Sequence, residues 1–170
     1  MPRMLSDGDI TLRAPHAGDI DALVVACQDP EIPRWTPIPS PYRRADAVAY
    51  LDRVASAANE RHFLAVDAHG TLLGSFSVMG IDGRYGEIGY WVAAEARGKG
   101  VATRAVVLLR DWAVAELGLE ELELIIHVDN AVSRRVAERT GFLETGERRP
   151  APRQSESPAR DYAVYVFRAS

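Results

Sequence analysis

The stretch Glu87-Ile88-Gly89-Tyr90-Trp91-Val92-Ala93-Ala94-Glu95-Ala96-Arg97-Gly98-Lys99-Gly100-Val101-Ala102-Thr103 decides the fold. Tyr90, Trp91 and Val92 are aromatic or β-branched, which predicts a pleated, partly buried strand. Beyond the glycines the period changes. Val101, Ala105, Leu108, Leu109, Trp112, Ala113 and Leu117 recur at three- and four-residue steps, which predicts a long helix from about Lys99 to Glu116. Gly98 and Gly100 allow positive φ and close backbone approach, and Arg97 and Lys99 flank them with charge. A helix N-terminus has unpaired N–H groups and a partial positive charge, so a glycine turn feeding one can cradle phosphate.

The turn fits neither the Walker pattern GxxxxGK[ST] nor the dinucleotide pattern GxGxxG, whose last glycine is replaced by Thr103. What it does fit is Arg-x-x-Gly-x-Ala, from Arg97 through Gly100 to Ala102. In its strand–turn–helix setting this resembles the acyl-CoA pyrophosphate loop of the GNAT superfamily of N-acetyltransferases.

Read in order, the chain opens with an alternating strand, Asp9–Ala14, stopped by Pro15. Asp19 is placed to cap a helix through about Gln28 that sets Ile20, Leu23, Val24 and Cys27 on one face. Cys27 reads there as a small core residue rather than a nucleophile. The five prolines of Asp29–Tyr42 predict an irregular, stiffened loop carrying Trp35 and Tyr42. These aromatics either plug one end of the core or line a substrate cleft. A helix follows from Arg44 to about Asn59, then strands at His62–Ala68, Leu72–Met79 and Tyr85–Val92 separated by Gly-containing turns. Beyond the central helix come a strand at Leu122–Val128, a helix from Ala131 to about Thr140, a strand at Phe142–Glu147, a long loop Arg148–Arg160, and a last strand at Tyr162–Arg168. The class is α+β in one domain: a mixed twisted sheet of about seven strands flanked by about four helices.

That order is the GNAT layout, and a second segment strengthens it. His127-Val128-Asp129-Asn130-Ala131-Val132-Ser133 through Thr140-Gly141-Phe142 is similar to the family's strand end, Asn, short helix and Gly-Phe. The chain looks most like the RimJ/RimL branch, the N-terminal acetyltransferases of ribosomal proteins and their relatives.

The resemblance implies the roles. Backbone N–H groups of Gly98, Lys99, Gly100, Val101 and Ala102 would bind the pyrophosphate of acetyl-CoA, with Arg97 adding charge. The backbone at Trp91 and Val92 would pair with the pantetheine arm, and Asn130 would hydrogen-bond it or cap the following helix. Family members attack the thioester directly with the substrate amine, so no covalent enzyme intermediate and no metal is implied. The amine must be neutral, and its reference pKa is near ~7.7–8.0 for an α-amine but ~10.4 for lysine. Glu87 is the candidate base, directly or through water, or else a structural carboxylate. The Tyr that many family members place four residues before Gly-Phe is replaced by Ala137. Ser133, three residues after the Asn as in RimJ/RimL-like relatives, is the candidate hydrogen-bond donor to the departing thiolate. Its other reading is a first-turn helix residue with packing duties alone.

Composition bounds the rest. With 170 residues, 47% hydrophobic and 26% charged, the chain is an ordinary globular domain, and its net charge of −4 argues against stable nucleic-acid binding. A docking role for Arg148, Arg149, Arg153 and Arg160 is therefore the weaker reading. One cysteine excludes an intrachain disulfide, and four scattered histidines show no zinc spacing. No apolar run follows Met1–Arg3, so the expectation is a cytoplasmic protein, monomer or homodimer. The expected acceptor is a protein N-terminus or a small amine, and Trp35 and Tyr42 are the candidate residues around it. The missing Tyr keeps one alternative in play: a non-catalytic acyl-CoA-binding or regulatory domain of the same fold.

Overall fold

A computed structural model describes residues 4–151 and 161–170. In chain order the elements are β1 (Leu5–Ser6), β2 (Thr11–Arg13), α1 (Ile20–Ala26), α2 (Glu31–Trp35), α3 (Arg44–Ser56), β3 (Arg61–Val66), β4 (Leu72–Asp82), β5 (Tyr85–Val92), α4 (Val101–Leu117), β6 (Glu121–His127), α5 (Ala131–Arg139), β7 (Leu143–Arg149) and β8 (Tyr162–Arg168). They build one eight-stranded sheet in the order β1-β2-β3-β4-β5-β6-β8-β7. Every neighbouring pair is antiparallel except β5 and β6.

Strand alternation puts a core on each face of the sheet. On one side Phe76, Val78, Ile88, Leu122, Leu124 and Tyr165 pack under α4, whose Val101, Ala105, Val106, Leu109 and Ala113 are buried. On the other, Leu64 meets Ile20, Leu23, Cys27, Tyr42 and Ala47 from α1, α3 and the segment between. Each large side chain so buried stabilises the fold by ~1.5–3 kcal/mol relative to exposure. Gly118, at φ 66°, ends α4 by returning its N–H to Ala113 O.

The α+β class and the order of its main elements follow the sequence, with four differences. Stretch 29–42 contains α2, although its prolines predicted no regular structure. Pro30 caps this helix and Pro33 lies in its first turn, where no intrahelical N–H is needed, while buried Ile32 anchors it. The two-residue β1 is too short for alternation to reveal. β4 continues past Met79 to Asp82 through a register shift opposite β5. β7 runs to Arg149, so Arg148 and Arg149 belong to a strand rather than a loop.

Candidate active site

β5 and β6 are paired at three positions only: Tyr85 with Glu121, Gly86 with Leu122, and Glu87 with Glu123. Beyond that point residues 88–92 pair with β4 alone, and residues 124–127 pair with β8 alone. The sheet therefore opens into a split whose vertex is Glu87–Glu123. One long edge of β5 is left without a strand partner, in the interior of the sheet.

The glycine turn lies just beyond the open end of β5. Gly98 and Gly100 have φ of 72° and 76°, and a Cβ on either would meet nothing within 4 Å. The first helical bond of α4 runs from Arg104 N to Gly100 O, and the cap residue, Gly100, offers no side chain. The amides of residues 98–103 have no backbone acceptor among the described residues, a donor set suited to phosphate oxygens. Arg97, expected to add charge to the turn, is shared with other groups of the protein. Its guanidinium lies 2.7 Å from Asp29 Oδ2 and donates to Val92 O at 3.0 Å, so it also occupies one carbonyl of the open edge. Arg104 is likewise bound to Asp7 and Asp9. Lys99 is exposed and has no carboxylate partner among the described residues.

The two candidate chemical groups lie on opposite faces of β5. Register places Glu87 beside Met79, Ser77 and Gly89 on the α1/α3 face, half-buried at the vertex. Ser133, in the first turn of α5, lies on the other face. Its N–H donates to Asn130 Oδ1 at 3.2 Å, which makes Asn130 the side-chain cap of α5. Ser133 Oγ is 2.6 Å from the hydroxyl of Tyr90, a residue the sequence marked only as a strand former. Tyr90 is stacked on Phe76, with centroids 5.4 Å apart and planes within 10°. Burial pushes its phenol up to about 12, against a smaller opposing effect of the Ser133 bond, so it stays protonated at neutral pH.

Trp35 and Tyr42 part company. Trp35 donates to Glu31 Oε2 at 3.1 Å and packs on His127, with centroids 5.4 Å apart. His127 also meets Tyr162 edge-on at 5.2 Å. His127 is four residues past the vertex on β6 and shares a face with Glu123, so this trio borders the Glu87 side of the split. Nothing in the spacing of four histidines could have shown it. Tyr42 does not border an open cleft: it is buried at 7% exposure against Cys27 and Leu64, because it closes the second core.

Beneath the vertex, Glu123 is 5% exposed. Arg149 reaches it across β8 with two bonds of 2.8 and 3.2 Å, and the Tyr85 hydroxyl donates at 2.7 Å. Arg148 is paired with Glu144 at 2.9 Å, so neither arginine forms part of an uncommitted basic surface; Arg153 and Arg160 lie outside the described residues. Among the described residues no group of three or more His, Cys, Asp or Glu is gathered to hold a metal, and no helix is long and apolar enough to cross a membrane.

Residues 9–143, which include the split parallel pair and the glycine-capped helix, match the family model for the acetyltransferase (GNAT) domain. The chain belongs to that family. Over 82 residues it is 44% identical to YdaF of Bacillus subtilis (strain 168), whose name marks it as a candidate ribosomal N-acetyltransferase; the alignment covers 47% of this chain and 45% of that one. The chain thus spans about half the length of this relative, and 52% of a second B. subtilis relative, the prophage-derived N-acetyltransferase YokL, at 27% identity over 54% of this chain. Among solved structures, RimJ of Mycobacterium smegmatis in complex with CoA-disulfide shares the fold at TM-score 0.83 and 21% identity, covering 99% of this chain and 86% of that one.

Proposed function

We propose that the protein transfers the acetyl group of acetyl-CoA to a primary amine, with the α-amine of a peptide N-terminus as the leading acceptor. The observation that carries this is the split at Glu87–Glu123, with a carboxylate on one face of β5 and a hydroxyl donor on the other. Acetyl-CoA, when bound, supplies the activated acetyl group. The residues that would hold it are the amides of 98–102, with Lys99 as the adjacent cation, the edge at Trp91 and Val92 that pairs with β4 alone, and Asn130. The fit rests on the vacant space around Gly98 and Gly100 and on N–H groups without backbone acceptors among the described residues.

Glu87 takes the proton the amine must lose as nitrogen bonds to the acetyl carbon. Ser133 donates a hydrogen bond to the sulfur as the carbon–sulfur bond breaks. The chain's net charge of −4, with the Glu87 carboxylate at the vertex, favours a cationic amine over an anionic acceptor. Support for an α-amine comes from the name of YdaF and from the smaller deprotonation cost at a pKa near ~7.7–8.0. A polyamine is the second reading, favoured by one fold neighbour, the Vibrio cholerae spermidine N-acetyltransferase in complex with CoA and spermine. The binding-only alternative is not favoured, because the relatives found carry acetyltransferase names.

The test is thiol release from acetyl-CoA against Ser- and Ala-initiated peptides, spermidine and aminoglycosides. Acceptor-dependent release is expected, lowered roughly a hundredfold in kcat by Glu87→Gln. Tight acetyl-CoA binding with no release on any amine would overturn the catalytic reading.

A further inference from the structure

Each hydroxyl carries one proton, so the 2.6 Å contact between Tyr90 and Ser133 has a direction that the chemistry can decide. Tyr90 projects from β5 into the core side of the sheet, stacked on Phe76, and Ser133 Oγ is the partner its hydroxyl has among the described residues. A phenol is the more acidic of the two hydroxyls, and its oxygen, delocalised into the ring, is the weaker acceptor, so the phenolic proton belongs on the bond. Both residues are half-buried, and with the phenolic proton on the bond the serine proton is free to turn to another acceptor. The tyrosine therefore donates and the serine accepts.

We infer that Tyr90 is a positioning residue: by donating to Ser133 Oγ it turns the serine proton out of the core and into the β5–β6 split, toward the departing sulfur. The inference rests on the reading of Ser133 as the thiolate's hydrogen-bond donor. Three features hold the pair in register. The Asn130 side chain fixes the Ser133 backbone, the Phe76 stack fixes the tyrosine ring, and β4 pairing fixes β5. An accepted hydrogen bond also polarises the serine hydroxyl, which strengthens it as a donor. Burial keeps the phenol protonated at neutral pH, so it has a proton to donate. This assigns a function to a tyrosine on β5 where the more familiar tyrosine position holds Ala137.

The experiment is a double-mutant cycle with Tyr90→Phe and Ser133→Ala, read as kcat and KM for acetyl-CoA with the best amine. Phenylalanine keeps the ring and its stack and removes only the hydroxyl. Expected is a fall of roughly tenfold in kcat for Tyr90→Phe with KM within about twofold, and roughly a hundredfold for Ser133→Ala. The double variant should be no slower than Ser133→Ala, because Tyr90 acts only through the serine. Tyr90→Phe matching wild type, or a double variant slower by the product of the single losses, overturns the inference and leaves Ser133 in place. Ser133→Ala matching wild type overturns the donor reading and the inference with it, as does a wild type that releases no thiol. Should Tyr90→Phe fail to fold, Tyr90→fluorotyrosine keeps the shape with a more acidic phenol. It should then hold kcat at or above wild type, and a fall would overturn the inference.

Discussion

Replacing Arg149 with leucine removes both bonds by which β7 holds Glu123 at the floor of the split. The carboxylate is 5% exposed and would keep only the Tyr85 hydroxyl as donor. Stripping one partner from a buried ion pair costs about 3–5 kcal/mol. The Arg149 side chain is 33% exposed, so water reaches its end of the pair and the low end applies, about 3 kcal/mol. Its contact with half-exposed Glu147 adds less than about 1 kcal/mol. For a chain of this length 1 kcal/mol moves Tm by roughly 2–4 °C, so Arg149→Leu should lower Tm by about 6–12 °C. Removing both charges, in Arg149→Leu/Glu123→Leu, should recover most of the loss and leave about 1 kcal/mol for the unpartnered Tyr85 hydroxyl. Urea unfolding followed by tryptophan fluorescence measures both, with equal slopes required. A single variant within about 1 kcal/mol of wild type, or a double variant less stable than the single, would refute the argument that Glu123 is a buried charge needing its partner.

Gly100→Ala forces a Cβ at φ 76°, at a cost of about 1–2 kcal/mol, into space that no atom of the protein fills. The fold should survive with a small loss of Tm while CoA affinity by calorimetry falls at least roughly tenfold; unchanged affinity would place the phosphates elsewhere. For pH, Asp19 is the informative carboxylate. Burial pushes its pKa up, but the Arg13 hydrogen bonds, the His16 amide and the neighbouring positive charge outweigh burial and hold it below the ordinary value. Its contribution is therefore full above the unfolded pKa of about 3.9 and is lost as pH falls through the lower folded value. The stability gap between wild type and Asp19→Asn should be flat from about pH 5 to 8 and shrink below about pH 4 in urea titrations; a gap that widens on acidification would reverse the assignment.

The strand–turn–helix at 87–103 was legible because two periods, two and 3.6, meet across a pair of glycines, and that contrast survives in any compact fold. What the sequence hid has specific physical causes. Proline counts against a helix only in its interior, so Pro30 and Pro33 concealed α2. Tyr42 and Trp35 share one segment and chemical type, and only the packing of α1 against α3 decides that one is buried while the other meets His127. Arg97 fits its motif position, yet Asp29, sixty-eight positions earlier by subtraction of residue numbers, claims its charge. Tyr90 was read as a strand former because a residue 43 positions from Ser133 gives no local sign of the contact. Backbone motifs can be read along the chain, whereas side-chain partnerships across elements cannot.

With a junction of only three paired positions between β5 and β6, the melting point of the protein would depend on whether the split is filled. An extended molecule hydrogen-bonded along the strand-free edge of residues 88–92, where Arg97 holds only the Val92 carbonyl, would act as a missing strand and would bind the native state alone. At a hundredfold excess over its dissociation constant such a ligand adds about 2.7 kcal/mol of stability. The resistance of this chain to unfolding, and hence its lifetime against proteases, would then rise and fall with the cofactor supply around it.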